Sequence, residues 1–255
     1  MTVPRFHVPQ LPEEGAALVL PPDALHHARN VLRLRSGAAV RLFDGRGHEV
    51  EASVERVLRG NVSVRAGAML TSGVEPRLHI VLALAPLKGE LLSLVVQKST
   101  ELGVSEIRPV VTARTERKDV LAVREARRER LARIAAAAAA QCGRTRVPEI
   151  LPAVDLEALL ASPFEGPRLI FCERGGDWPP ACARAEPAQA LLLVGPTGGW
   201  EQDEIAQARA AGFAEITLGP RVLRAETAAL AAVTAAQLLW GDFGNRPDTG
   251  TAPSR

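Results

Sequence analysis

From residue 78 onward, short apolar runs alternate with stretches of helical character. LHIVLALAP, EIRPVVT, RLIFCE, ALLLVGP and EITLGP are strand-like, while ELLSLVVQKSTELG, Asp119 to Gln141, QDEIAQARAAG and AETAALAAVTAAQLLW read as helices. Strands that are apolar throughout, rather than at every second position, are buried on both faces. Helices between them supply the crossovers that parallel neighbours require. This pattern predicts an α/β domain built on a mostly parallel sheet. Its first helix ends at Gly103, suited to a C-terminal cap.

The preceding residues follow a different rule. Val50, Ala52 and Val54 alternate with polar residues in HEVEASVERV, NVSVRAG repeats the alternation, and RLFDGRGHEV supplies a Gly-containing hairpin turn. Within this small β domain, PPDALHHARNVLRLRSG reads as a short helix, with Asp23 near its start and Gly37 just past its end. Its His27, Arg29 and Arg33 either face a phosphate backbone or decorate an ordinary amphipathic helix plugging the sheet. TSGVEPRLH is the best boundary, giving domains over 1–73 and 74–245, with a polar tail expected to be disordered over 246–255.

Composition excludes several classes of function. No run of eighteen apolar residues is present, and MTVPRFHVPQ lacks the basic and apolar halves of a signal peptide, so a cytoplasmic protein is expected, without a membrane span. Cys142, Cys172 and Cys182 are widely spaced and offer neither a disulfide framework nor a zinc site; no metal is expected. Net charge is only +2, yet residues 108–146 carry eleven basic groups against four acidic. Such a segment is either a footprint for a polyanion or a solvated helix face.

LLLVGPTGGW and EITLGPRVLRAETAAL each run a buried strand into Gly-Pro and on toward a helix. Ligands of open α/β sheets sit outside the carboxyl ends of strands, so two such loops can wall one pocket. A nucleoside triphosphate fits poorly: there is no phosphate-binding Lys, the prolines lack N–H donors, and Glu201, Asp203 and Glu204 would repel phosphate. A phosphate-free adenosyl ligand such as S-adenosylmethionine, with its sulfonium cation, fits better. A structural strand-to-helix turn is the other reading of these loops.

Taken in order, HHARNVLRLRSG, VVQKSTELGVSEIRP, QCGRTRVPEI, LLLVGPTGGWEQDEI and LGPRVLRAETAAL cover nearly the whole chain. Together they resemble the bacterial 16S ribosomal RNA (uracil-N3) methyltransferases, of the SPOUT class of knotted methyltransferases. The resemblance implies an N-terminal PUA-like β-barrel for RNA binding, a C-terminal α/β domain with a trefoil knot, and a homodimer. It implies an enzyme that methylates N3 of a uridine in the 16S RNA of the small ribosomal subunit. Alternatives are a non-catalytic RNA-binding or ribosome-assembly protein of the same fold, and a methyltransferase acting on transfer RNA or a ribose hydroxyl.

Carried onto this chain, the resemblance places S-adenosylmethionine against Val194, Gly195, Gly198 and Gly199 in one loop. In the other it touches Leu218, Gly219, Val222, Leu223 and Arg224, and Cys172 adds a backbone contact. Arg224 and Arg144 are expected to stabilise the uracil anion or grip phosphate. Glu226 is the candidate base, or a cap of the last helix. Arg5, His27, Arg29, Arg33, Arg114, Arg117 and Lys118 are expected at RNA phosphates. Lys98 and Glu101 read as an ion pair three residues apart on one helix. The chain departs from the family at Thr197 and Ala140, where glutamates are usual.

Overall fold

A computed structural model describes residues 3–71, 74–116 and 125–244. The chain divides into two compact units, Met1–Glu75 with Ala135–Val147, and Pro76–Ile134 with Pro148–Arg255. Arg117, Lys118, the start of the helix expected from Asp119, and the tail expected over 246–255 lie outside the described residues.

The first unit is built on β1 (Arg5–His7), β2 (Ala17–Val19), β3 (Ala39–Phe43), β4 (Glu49–Leu58) and β5 (Asn61–Leu70), in the order β1-β3-β4-β5-β2. β1 runs parallel to β3 and the other pairings are antiparallel. The period-two pattern does what it predicts. Val50, Ala52 and Val54 enter a core shared with Val62, Val64, Phe6 and Leu42, while Glu51 and Ser53 are exposed. The β3–β4 turn is held by the Asp44 carboxylate, which accepts the Arg46 and His48 N–H groups at 2.7 and 3.1 Å.

The expected helix after β2 is shorter than its sequence suggests. α1 (Pro22–His26) passes into a single π-helical turn, His27–Val31, which buries Ala28 in the core. It stops because Arg33 takes a left-handed conformation, φ 51°, and the chain folds back so that Leu34 N–H reaches the Ala28 carbonyl at 3.0 Å.

Ala135–Val147, which sequence alone assigns to the second domain, joins the first unit through two buried charges. The Arg5 guanidinium pairs with Glu49 at 2.6 Å and donates to the carbonyls of Ala139, Ala140 and Arg144 at 3.0, 3.3 and 3.0 Å. The Glu75 carboxylate accepts from Arg144 Nε, Thr145 N and Arg146 N at 3.1, 2.6 and 2.8 Å. The side chains of Arg5 and Arg144 are only 7% and 5% exposed. Arg5, expected at RNA phosphate, thus closes a helix end, and Arg144, expected at the uracil anion or a phosphate, is held by Glu75.

In the second unit, β6 (His79–Leu84), β7 (Glu106–Val111), β8 (Glu149–Ile150), β10 (Arg168–Phe171), β11 (Gln189–Val194) and β12 (Ala214–Ile216) run in the order β12-β10-β11-β6-β7-β8. A further short strand, β9 (Val154–Asp155), pairs with β7, and every pairing is parallel. The central strands β6 and β11 bury nearly every side chain, as their unbroken apolar runs require.

Among the described residues, the α-helices beyond α1 are α2 (Glu90–Glu101), α3 (Glu125–Cys142), α4 (Leu156–Ala161), α5 (Gln202–Ala210) and α6 (Ala225–Trp240). α2 does end at a left-handed Gly103, φ 89°, and Lys98 pairs with Glu101 at 2.8 Å. α6 packs on α2, β6 and β11 through alanines that permit close approach, and its buried Gln237 donates to the Leu102 carbonyl at 2.9 Å. Among the described residues, no helix is long and apolar enough to cross a membrane.

Candidate cofactor site

β10, β11 and β12 end level with one another, since Phe171 is in register with both Val194 and Ile216. The segments that follow them therefore leave the sheet together, and they wall one open cavity of about 200 Å³. This is the place where a parallel sheet offers its strand ends to a ligand.

From β10 come Phe171, Cys172 and Glu173. Cys172 is pinned on both sides: its N–H donates to the Ile216 carbonyl at 2.8 Å, and its carbonyl accepts the Thr217 hydroxyl at 3.2 Å. Burial, reinforced by the charge of Glu215, pushes its thiol up to about 12. The thiol stays protonated near neutrality and is no nucleophile.

The loop after β11 contributes Val194, Gly195, Pro196, Thr197, Gly199 and Trp200. Its turn is closed by the Gly199 N–H on the Pro196 carbonyl at 2.9 Å, with Gly199 at φ 73°, a conformation that favours glycine. The Trp200 indole lies against the Gly195 backbone and donates to the Phe171 carbonyl at 2.9 Å, joining the ends of β10 and β11.

The loop after β12 brings Thr217, Leu218, Arg221, Val222, Leu223 and Arg224, and α6 adds Ala225 and Ala228. Arg224 sits at the N-cap of α6, its carbonyl accepting Ala228 N–H at 2.8 Å. Glu226 follows in the first turn of that helix and is not part of the cavity wall.

The structure thus gathers eight of the residues expected from sequence: Cys172, Val194, Gly195, Gly199, Leu218, Val222, Leu223 and Arg224. Gly198 and Gly219 shape the bends without lining the space. Sequence reasoning missed Glu173, Trp200, Thr217 and Arg221. The signal was present for the first two, which directly follow Cys172 and the Gly-Gly pair.

The acidic run after the glycines has a structural task. Glu201 and Glu204 form a reciprocal capping box at the start of α5. The buried Glu204 accepts Glu201 N–H at 2.9 Å and, with its other oxygen, Ala113 N–H at 2.8 Å. Beside it Arg114 donates to the Gly198 carbonyl at 2.8 Å and lies 3.6 Å from Glu201. Arg114, expected at RNA phosphate, is thereby engaged in bracing the glycine turn. We predict that Arg114→Ala weakens ligand binding in the cavity by about threefold to tenfold while leaving the unfolding midpoint nearly unchanged, because the pair is half exposed. Calorimetric titration together with a thermal melt checks both parts.

The remaining basic candidates lie in the first unit. His27, Arg29 and Arg33 are exposed on and just after the π-helical turn. His27 packs edge-on against Phe6, with ring centroids 6.3 Å apart, and Arg29 donates to the Arg59 carbonyl. Among the described residues, no group of three or more His, Cys, Asp or Glu side chains could hold a metal ion.

Comparison with known proteins places this geometry in context. The family model of an RNA methyltransferase domain matches residues 74–237, and that of an RNA methyltransferase PUA domain matches residues 20–66. The ribosomal RNA small subunit methyltransferase E of Synechocystis sp. is 31% identical over 219 residues, spanning 84% of this chain and 70% of that protein. Its counterpart from Mycobacterium bovis is 30% identical over 251 residues, spanning 94% and 93%. The crystal structure of a ribosomal RNA small subunit methyltransferase E from Neisseria gonorrhoeae, bound to S-adenosyl methionine, superposes with a TM-score of 0.85 at 35% identity, covering 95% of this chain and all of that one.

Proposed function

The chain belongs to the ribosomal RNA small subunit methyltransferase E family, and from that premise we propose that it methylates N3 of one uridine in 16S ribosomal RNA, with S-adenosylmethionine as donor. The observation that carries the cofactor half is the convergence of both Gly-Pro loops and the end of β10 on a single cavity. Pro196 removes an N–H that a phosphate would need, and a bare glycine turn lets a flat ring approach the backbone. Val194, Gly195 and Gly199 on one side and Leu218, Val222 and Leu223 on the other hold the adenosyl group chiefly through the main chain.

S-adenosylmethionine supplies an electrophilic methyl group. The uracil N3 lone pair forms the new N–C bond as the C–S bond breaks, and the N3 proton leaves to a base or to water. Uridine N3 holds that proton with a pKa roughly two units above neutral, so the anion costs about 3 kcal/mol at pH 7 unless the site stabilises it. Arg224, which faces the cavity, supplies that stabilising charge; Glu226, in the first turn of α6, is the candidate base. The target uracil leaves its stack to reach the methyl group, while His27, Arg29 and Arg33 grip phosphates and position the RNA.

The same reading includes a cytoplasmic homodimer and a trefoil knot in the second unit. Exposed Leu91 and Leu94 on α2 and Leu238 on α6 support a subunit contact. Mass spectrometry of RNA from a deletion strain tests the substrate. One 3-methyluridine should vanish from 16S RNA and return on complementation. Loss of a transfer-RNA or ribose methylation instead would move the target, and an unchanged profile would contradict the reading.

A further inference from the structure

We infer that Glu173 recognises the positive charge of the methyl donor, so that the cavity discriminates a sulfonium ligand from its neutral thioether product. The inference rests on the reading that this cavity holds S-adenosylmethionine.

Among the described residues, the charged side chains of the wall are Glu173, Arg221 and Arg224, so Glu173 is the one carboxylate there. Two guanidinium groups alone would make the cavity repel a cation, and a single acid among them restores a place for one. Thr197, which also lines the cavity, is uncharged, so the glycine loop adds no acid of its own to the wall.

The exposed Glu173 follows a pinned stretch of backbone. It directly follows Cys172, whose N–H and carbonyl are both bonded to the Ile216–Thr217 segment. Its Oε1 lies 3.2 Å from the point a Cβ on Gly199 would occupy, so the carboxylate stands directly over the glycine turn. Among the described residues, no ion pair or hydrogen bond engages that carboxylate. A charge beside the ligand loop, exposed and uncommitted, is available to a cationic guest. The donor carries the sulfonium charge before transfer and loses it afterwards, so a carboxylate facing it favours donor over product.

Calorimetric titration of the wild-type protein and Glu173→Gln with three ligands tests this. The ligands are S-adenosylmethionine, S-adenosylhomocysteine, and sinefungin, which bears an ammonium group in place of the sulfonium. Glu173→Gln should weaken the two cationic ligands by about tenfold and leave the neutral thioether within about twofold. Glu173→Asp, which keeps the charge, should recover most of the difference. Equal weakening of all three ligands, or no change in any, would overturn the inference while leaving the cofactor reading intact. Failure of the wild-type protein to bind any of them would overturn the cofactor reading itself.

Discussion

Replacing Gly195 with alanine is expected to reduce S-adenosylmethionine affinity by at least about a hundredfold, while costing the fold only about 1–3 kcal/mol. A Cβ at this position would lie 2.7 Å from Trp200 Cε2, 2.9 Å from its Nε1 and 3.1 Å from its Cδ2. The indole is a rigid plate and cannot yield at its far end as a lysine could. It is also anchored, since its N–H satisfies the Phe171 carbonyl at the end of β10. Moving it breaks that bond and shifts the floor of the cavity, because Trp200, Gly195 and Phe171 all line it. The backbone at Gly195 does not require positive φ, so the effect is steric and alanine is the mildest probe of it. Titration with the cofactor alongside a thermal melt separates lost binding from lost folding. Wild-type affinity in this variant would contradict the role given to the first Gly-Pro loop.

Removing the Glu75 carboxylate should have the largest effect on stability, about 3–5 kcal/mol for Glu75→Ala. That side chain accepts from the nearly buried Arg144 and from two successive backbone N–H groups, at Thr145 and Arg146. Deleting it removes a carboxylate from beside a buried guanidinium and leaves the Thr145 and Arg146 N–H groups without the acceptor they share. Glu75→Gln keeps one acceptor oxygen and should cost less. Denaturant unfolding of the two variants orders them, and an unchanged midpoint in Glu75→Ala would show that the network contributes little.

The network around Glu75 and Glu49 is hidden in the sequence. The resemblance places Arg5 at RNA phosphate and Arg144 at the uracil anion or a phosphate, with no sign that either has a partner within the chain. Their partners are Glu49 and Glu75, separated from them by 44 and 69 residues. No local pattern announces a pairing at that range. The motif QCGRTRVPEI accordingly owes part of its character to a structural clasp in the first unit. By contrast, the parallel sheet was legible because β6 and β11 must bury both faces, and such strands carry no polar alternation. The cavity was legible for a related reason: Gly-Pro directly after a buried strand marks where the chain leaves the sheet.

The acidic run after the glycines was only half legible. Its charge was plain, and its exclusion of phosphate followed. Its capping box was hidden because glutamate, rather than serine or threonine, occupies the N-cap at Glu201. The bond from Ala113 to Glu204 depends on β7 ending beside that loop, a fact of tertiary structure alone. Trp200 and Glu173 adjoin the residues that mark the loops, but a glycine turn announces where the backbone is bare and not which neighbouring side chains furnish the cavity.

The most direct test of the central claim is a crystal structure of this protein grown with S-adenosylmethionine. The adenosyl group should rest against the backbone of residues 194–199 and 218–223, with Trp200 still bonded to the Phe171 carbonyl. Cofactor found elsewhere on the chain, or a cavity left vacant at saturating cofactor, would contradict the account.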